Sequence, residues 1–304
     1  NAYIEEVLKE GETLGFDGRV VSVGEGEGYA AIAGKKNAKV NYQVDLIDEI
    51  WEDRPVLSEE PAFNLDVKYA GETVASKLAR IREEMKEAGT NVHVVSTLDD
   101  ICWTLNIRGN DIDFFPLVLS YGIITMDSFE LYIDERKLDD KLKAKLAKDG
   151  VNLHPYNDIY EDVKKFGSDV VAMIDPGKLN YALFNNIPEN VKTVKKRNPA
   201  ILMKAIKNPV EIENIRKAQI KDSVAHVRFM KWLKENVGKM RITEMSASDK
   251  LDEFRAEMGK FIRPSFEPIS SFGEHGAIVH YTSSPETDVE LKEGQLFLTD
   301  TGAG

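Results

Sequence analysis

The two stretches that decide the fold lie at the end of the sequence. They read GEHGAIVHY at residues 273–281 and LFLTDTGAG at residues 296–304. A turn precedes the second stretch, which predicts a buried apolar strand over residues 295–299 with Asp300 at its exit. A carboxylate is costly to bury at such a position unless a positive group, commonly a metal ion, neutralises it. An aspartate that only caps the next turn gives the same pattern, so both interpretations stay open.

The histidines near this end of the chain are equally ambiguous. His280, beside Tyr281 in an apolar segment, suits either a functional role or a simple bond to a backbone carbonyl. We expect His275, which lies in a polar loop, to be exposed, and His226, on the apolar stripe of a helix, to be packed. The residues alone therefore indicate no more than a candidate metal site.

Composition limits the classes of function. The 304 residues can form two domains, or three if one is incomplete, and the 40 basic and 52 acidic residues give a net charge of −12. That charge argues against nucleic acid as a partner, because a phosphate backbone requires a basic face. The longest apolar run, residues 114–124, is interrupted and too short to cross a membrane.

The single cysteine and the chain ends carry further expectations. Cys102 has no partner for an internal disulfide, which indicates a reducing compartment, and its apolar neighbours predict a buried small hydrophobe. Residues 1–6 have neither the basic flank nor the apolar core of a signal peptide. A start without methionine and an abrupt end suggest a piece of a longer protein, truncated at both ends.

Local patterns predict a small first unit. We expect a helix over residues 3–10, strands over residues 13–16 and 39–44, and a short helix over residues 45–51. The GEGEG run at residues 24–28 has acidic residues between its glycines and no following lysine, so it indicates a flexible surface turn rather than a phosphate-binding loop. A weakly periodic linker with two prolines follows.

The second and third units are predicted from stronger signals. Helices and strands alternate in the second unit, which indicates an α/β layer with a mixed sheet; its elements are expected at residues 72–88, 92–95, 97–103, 117–125, 129–133, 139–148, 159–166 and 170–174. In the third unit, Asn208 followed by Pro209 predicts a helix start, and Thr243 predicts the cap of a second helix. Two long helices followed by strands indicate an α+β domain.

Several short motifs together resemble one family. FEPISSFG at residues 266–273, GAIVHY at 276–281 and DTGA at 300–303 resemble the catalytic domain of the Xaa-Pro aminopeptidase P family, whose members have the creatinase/prolidase pita-bread fold. The resemblance extends over nearly the whole chain through GFDG at 15–18, WTLNIRG at 103–109, KNPVE at 207–211 and AQIKD at 218–222.

The resemblance implies three domains. Residues 1–58 correspond to part of a first creatinase-like N-terminal domain and residues 59–204 to a second such domain. Residues 205–304 correspond to the N-terminal portion of the pita-bread metallopeptidase domain. Trp103 and Arg108 either pack and form a salt bridge within their domain, or border the active site or a dimer contact.

The resemblance also implies a site. Members of the family hold two divalent metal ions, usually manganese (Mn²⁺), through two Asp, one His and two Glu. Asp300 corresponds to the first ligand, and His280 to the histidine that contacts the substrate. The second Asp is expected about eleven residues beyond Asp300, and the other ligands and the general base further on.

The expected function is that of a cytoplasmic, manganese-dependent aminopeptidase acting on peptides with proline second, and residues 1–304 are expected to be inactive by themselves. The resemblance also implies that the protein can form a homodimer. The alternatives are a prolidase or creatinase-like hydrolase of the same fold, or a catalytically dead pita-bread module that binds peptides. Methionine aminopeptidase fits less well because it lacks the two preceding domains.

Overall fold

The computed structural model describes residues 1–304 and divides them into two units. One comprises residues 1–111 and 117–207, and the other comprises residues 112–116 and 208–304. The three-domain division at residues 58 and 204 stays a prediction. No helix of the chain combines the length and the apolar character that a bilayer span requires.

The first part of the chain contains short elements. They are α1 (Ala2–Val7), β1 (Thr13–Gly15), α2 (Val23–Lys35), β2 (Lys39–Asn41), β3 (Phe63–Asn64) and α3 (Val67–Ala70). Strands β1 and β2 pair in parallel, with Leu14 opposite Val40. A small apolar cluster of Leu8, Ile32 and Ala33 lies beneath them.

The GEGEG run is helical, so the predicted surface turn is wrong. Ser22 caps α2: its hydroxyl accepts from the Glu25 amide at 3.3 Å, while the Glu25 carboxylate accepts from the Ser22 amide at 3.2 Å. This reciprocal cap and the packing of α2 override the low helix propensity of glycine, about 1 kcal/mol per residue relative to alanine.

Two glycines of this run are expected to respond oppositely to alanine. A Cβ on Gly26 would lie 2.3 Å from the Tyr181 ring, whereas a Cβ on Gly28 meets nothing within 4 Å. Gly26→Ala should therefore lower the free energy of unfolding by about 1–2 kcal/mol, because the overpacking exceeds the gain in helix propensity. Gly28→Ala should raise it by about 0.5–1 kcal/mol. Urea unfolding measures both, and equal effects would contradict the packing of Gly26 on Tyr181.

The predicted helix over residues 45–51 is also wrong. This stretch forms turns, in which the Asp45 carboxylate accepts from the Ile47 amide at 2.9 Å. Arg54 bridges the carboxylates of Asp45 and Asp48 at 2.6 and 2.5 Å. Aspartate side chains that bond nearby backbone in this way compete with helix formation.

A mixed sheet follows, as predicted, and it has six strands, two of which, at residues 151–154 and 192–195, were not predicted. Strands β4 (Val92–Val95), β6 (Tyr121–Thr125), β7 (Phe129–Tyr132), β8 (Val151–His154), β9 (Val171–Ile174) and β10 (Lys192–Lys195) lie in the order β10-β9-β4-β6-β7-β8. The strands β10, β9 and β4 are parallel to one another, whereas β6 is antiparallel to both of its neighbours. The short β5 (Ile107–Arg108) pairs with β3 instead.

Helices cover both faces of this sheet. They are α4 (Val74–Glu87), α5 (Leu98–Leu105), α6 (Asp140–Lys148), α7 (Ile159–Asp162), α8 (Tyr181–Asn185) and α9 (Pro199–Ala205). The alternation of side chains along β4 divides the core: Val95 packs with α4 and α5 on one face, whereas Val92 and Val94 pack with α7 and α8 on the other. The predicted helix over residues 159–166 is α7 continued by a 3₁₀ turn.

Cys102 lies in the core of this unit, as predicted, and Trp103 lies in the same core, which agrees with the first of its two alternatives. Both are buried against α4, and burial raises the pKa of the Cys102 thiol to about 11. Arg108 donates to the backbone carbonyls of Cys102 and Ile107 at 2.9 and 2.8 Å. These carbonyl bonds hold Arg108 against the core, and its predicted salt bridge stays a prediction.

The Cys102 thiol is expected to be unreactive in the folded protein. Its pKa of about 11 and its burial leave little thiolate, the reactive form, at pH 8. A chromogenic disulfide reagent should label no thiol in buffer and one thiol per chain in denaturant. Full labelling in buffer within the mixing time would contradict this burial.

The second unit contains two long helices and a two-stranded sheet. They are α10 (Pro209–Asn236), α11 (Glu244–Glu257), β11 (Ile269–Phe272) and β12 (Phe297–Asp300). Both predicted caps are confirmed, because the side chains of Asn208 and Thr243 each accept from the first turn of their helix. The apolar core lies between the C-terminal half of α10, α11 and the sheet, and includes Ala225, Phe229, Leu251, Phe254 and Phe272.

Three burial predictions are wrong in this unit. The predicted apolar stripe along α10 is buried only at Ala225 and Phe229, and Ile215 is 53% exposed. Strand β12 is present but largely exposed: Phe297 packs against the apolar core, whereas the next side chain, Leu298, points to the other face and is 45% exposed. His226 is half-buried rather than packed in the core, with its Nδ1 3.8 Å from the Asp222 carboxylate.

Candidate functional site

Asp300 is the last residue of β12, where the sequence places the strand exit. Antiparallel pairing sets it opposite Ile269, the first residue of β11. Its side chain is exposed, and its carboxylate makes no hydrogen bond or ion pair within the chain. The turn-capping interpretation would require a bond from this carboxylate to the following backbone, and no such bond is present.

The residues that follow Asp300 are held in place by α11 and by a returning segment. The buried Arg255 donates to the Thr301 hydroxyl at 2.8 Å and to the Asp222 and Asp252 carboxylates at 2.8 and 3.0 Å. Gly302 accepts from the Ser265 amide at 3.0 Å. A Cβ on Gly302 would lie 2.1 Å from the Ser265 hydroxyl oxygen, so this close approach requires glycine.

A buried carboxylate, Glu244, fixes the segment that leaves the other end of β11. Glu244 is completely buried at the start of α11, and its carboxylate accepts from the Phe272 amide at 2.5 Å. The hydroxyls of Tyr281 and Ser283 also donate to it, at 3.0 and 3.2 Å. The Ser270 hydroxyl donates to the Glu244 backbone carbonyl at 2.6 Å. One carboxylate thus connects the strand to both ends of the loop after it.

His275 belongs to this network, which corrects the expectation that it is exposed. Its side chain is 18% exposed, its Nδ1 lies 2.9 Å from the Glu244 carboxylate, and its ring stacks on Tyr281 at 4.4 Å between centroids. The correction has a physical reason: the 3₁₀ turn Gly273–Ala277 turns the imidazole back toward the start of α11. Sequence alone gives no sign of this turn.

His280, unlike His275, is exposed and lies outside the hydrogen-bond network of Glu244. Its imidazole is exposed and makes no hydrogen bond within the chain, and its φ of +57° lies in the left-handed region. The interpretation of His280 as a histidine bonded to a backbone carbonyl therefore does not hold. Its neighbour Tyr281 is buried and bonded to Glu244, so the backbone on one side of His280 is fixed. Left-handed backbone at a residue other than glycine is a strained conformation that often occurs at functional sites.

Asp300 and the start of the histidine-bearing segment lie at opposite ends of the two-stranded sheet. The register pairs Asp300 with Ile269, whereas the segment leaves from Phe272, three residues or about 10 Å further along β11. No group of three or more His, Cys, Asp or Glu side chains is assembled as a metal site within residues 1–304.

The Asp300 carboxylate has the chemistry of a ligand for a divalent metal ion. A hard carboxylate oxygen suits manganese, and the side chain is exposed and lacks a partner, while the next residue, Thr301, accepts from Arg255 through its hydroxyl. The described chain does not supply the rest of a ligand set. Sequence reasoning missed Glu244 and Arg255. The one signal for Glu244 is its position directly after the Thr243 cap. That signal is not specific, because the helix dipole favours any acidic residue at this position.

Two family models match the chain in sequence. The Creatinase/Prolidase N-terminal domain matches residues 53–211, more than half of the chain, and Metallopeptidase family M24 matches residues 213–304. These matches define the class of protein: a creatinase/prolidase α/β N-terminal region followed by a region of the pita-bread metallopeptidase class.

Individual relatives narrow the class. The chain is 34% identical to a probable Xaa-Pro aminopeptidase P of Sordaria macrospora, covering 96% of this chain and 50% of that protein. It is 35% identical to Xaa-Pro aminopeptidase 1 of Dictyostelium discoideum, covering 97% and 49%. The chain thus spans about half the length of the curated relatives it matches. The chain belongs to the creatinase/prolidase family and, within it, is similar to Xaa-Pro aminopeptidases P.

A solved structure agrees with this membership. The X-prolyl aminopeptidase of Caenorhabditis elegans, described as a cytosolic enzyme with a di-nuclear active site, superposes with a TM-score of 0.92 at 31% identity. The match covers 99% of this chain and 50% of the C. elegans chain. The fold assigned from the sequence is therefore confirmed.

Proposed function

We propose that the protein carrying these residues is an aminopeptidase that releases the N-terminal residue from peptides with proline second and works with two divalent metal ions. The observation that carries the proposal is the similarity to the C. elegans enzyme over 99% of the chain, with an unpartnered carboxylate, Asp300, at the strand end. Manganese is the proposed metal because the ligand donors are carboxylate oxygens and imidazole.

Asp300 and His280 have different proposed roles. Asp300 is one metal ligand, and no folding contact has to be broken for it to bind an ion. His280 faces the substrate, since its exposed imidazole is available to a peptide while Tyr281 fixes the adjacent backbone. When bound, the metal ions supply a hydroxide nucleophile at neutral pH and polarise the scissile carbonyl.

The proposed specificity follows from the chemistry of proline. A bond to proline is a tertiary amide without an N–H group, and the residue before proline is conformationally restricted. A peptidase site that hydrogen-bonds the N–H of the scissile bond therefore fits it poorly. A dedicated pocket that accepts the ring, together with acidic groups that hold the free α-amine, suits it better.

We also propose the domain limits 1–58, 59–204 and 205–304, a cytoplasmic location and a homodimer. The cytoplasmic location is supported by the description of the C. elegans relative as cytosolic. The homodimer rests on family resemblance alone. The net charge of −12 favours peptides rather than nucleic acid as partners.

The test is a panel of peptides given to the whole protein. Xaa-Pro-Xaa tripeptides should lose their first residue, and Xaa-Ala-Xaa controls should remain intact. Cleavage of Xaa-Pro dipeptides alone would instead indicate a prolidase. Peptide binding without any cleavage would indicate a catalytically dead binding module. Either of these two results would overturn the proposal.

The 304-residue chain alone is expected to bind manganese weakly and to hydrolyse no peptide. It supplies one proposed ligand, Asp300, and no group of three or more ligating side chains. Calorimetric titration should show no saturable, stoichiometric binding, and Asp300→Asn should leave the trace unchanged. Tight one-to-one binding of manganese by this chain would contradict the assignment of the remaining ligands to positions beyond it.

A further inference from the structure

A cavity of about 510 Å³ opens in the first unit, away from Asp300 and His280 in sequence. It lies at the carboxyl ends of the three parallel strands. Thr97 follows β4, Asp175 and Lys178 follow β9, and Lys196 and Arg197 follow β10, and all five line the cavity. A volume of this size suits a small-molecule ligand.

The chain leaves strands β4 and β9 in opposite directions at the cavity. From β4 the chain continues through α5 to β6 on one side of the sheet order, whereas from β9 it continues through α8 to β10 on the other. The helices α5 and α8 also pack on opposite faces of the sheet. Ligands of open α/β sheets bind preferentially in the crevice that such divergence creates outside the carboxyl ends of the strands.

The carboxylates of the cavity are already bonded to protein groups. Asp100, 1% exposed, accepts from the Thr97 hydroxyl at 2.6 Å, from the Asn198 amide group at 2.9 Å and from Lys204 Nζ at 2.8 Å. Lys204 also pairs with Asp99. Asp175 accepts from the backbone amides of Asn198 and Gly177 at 2.9 and 3.1 Å. These acids therefore form the frame of the cavity rather than a cation site.

The cations at the cavity are only partly neutralised. Lys178 and Arg197 are exposed and have no ionic partner. Lys195 pairs with Glu27 and Lys196 with Glu84, each pair having both side chains about 40% exposed. Such exposed pairs contribute about 0–1 kcal/mol, so an incoming anion can replace either carboxylate at little cost.

We propose that this cavity binds a small phosphate-type polyanion, such as a diphosphate group. Arg197 offers a planar fork of donors that matches a phosphoryl group, and Lys178 offers a second, unneutralised point charge. The neighbouring Lys195 and Lys196 extend this positive region along the end of β10. The proposal is independent of the aminopeptidase function, because no residue of the cavity belongs to the M24 match.

The test uses inorganic pyrophosphate as the probe and isothermal titration calorimetry on the full chain. Saturable one-to-one binding is expected, weakening as salt increases. The double variant Lys178→Gln with Arg197→Gln should weaken binding about tenfold or more, because it removes two charged donors. Both side chains are exposed, so thermal unfolding should be unchanged.

The matched control removes two exposed lysines outside the cavity, Lys148 and Lys192, by the same Lys→Gln change. It should bind pyrophosphate within about twofold of the unmodified chain. No saturable binding by the unmodified chain would overturn the proposal. An equal loss of binding in the control would also overturn it, because it would indicate non-specific charge attraction. Equal affinity for citrate would overturn it as well, because it would indicate no preference for phosphoryl groups.

Discussion

Asp300→Asn in the whole protein is expected to lower kcat/KM for an Xaa-Pro-Xaa peptide by on the order of 10³-fold or more. The amide keeps the size of the side chain but is a neutral and weaker metal ligand. Activity of the metal-loaded protein with a fluorogenic peptide measures the effect. The metal content, measured by elemental analysis, should fall together with the activity.

If Asp300 had a purely structural role, its replacement would lower the stability of the protein. The carboxylate makes no bond within the chain, so Asp300→Asn should change the free energy of unfolding by no more than about 0.5 kcal/mol. The control is Asp249→Asn, an exposed aspartate on α11, which should leave both activity and stability unchanged. An Asp300→Asn protein that keeps full activity would rule Asp300 out as a ligand.

Glu244→Ala is expected to lower the free energy of unfolding of the second unit by about 3–5 kcal/mol. The change leaves the Phe272 amide without its acceptor in a buried site, removes one of the acceptors of the Tyr281 hydroxyl, and removes the partner of His275. Urea unfolding measures the loss. Hydrogen exchange at the Phe272 amide should accelerate in the same variant.

Two further variants distinguish the stability lost with the buried Glu244 carboxylate from the loss caused by other substitutions. Glu244→Gln keeps one carbonyl acceptor at nearly the same volume and should therefore lose less than Glu244→Ala. Glu253→Ala, on the same helix in an exposed pair with Lys250, should cost about 0–1 kcal/mol. Equal losses for Glu244→Ala and Glu253→Ala would contradict the proposed role of the buried carboxylate as an anchor.

Local signals in the sequence predict the elements that depend on local physics. The helix α4, the hairpin β6–β7 and the caps Asn208 and Thr243 follow from apolar spacing, turn residues and cap chemistry. The GEGEG helix does not, because glycine spacing alone predicts a turn. Its capping box, Ser22 with Glu25, is a local signal for a helix start that the low helix propensity of the glycines opposes, and its packing against Tyr181 comes from a residue distant in sequence.

The features of the candidate site likewise fall into those that the local sequence predicts and those that depend on tertiary folding. The position of Asp300 at a strand exit follows from the apolar pattern of residues 296–300, but its proposed metal role comes from family resemblance. The Glu244 anchor depends on donors 28 to 39 residues further along the chain, which only tertiary folding brings together. The exposure of β12 likewise depends on which elements pack over it, and its own alternation does not reveal this.

The most direct test is the release of the first residue from an Xaa-Pro-Xaa peptide by the whole protein, measured before chelation, after chelation and after manganese is added back. We expect activity before chelation, loss of nearly all of it after chelation, and recovery when manganese is restored. Release that persists unchanged in the chelated protein, or no release under any of the three conditions, would contradict a metal-dependent Xaa-Pro aminopeptidase.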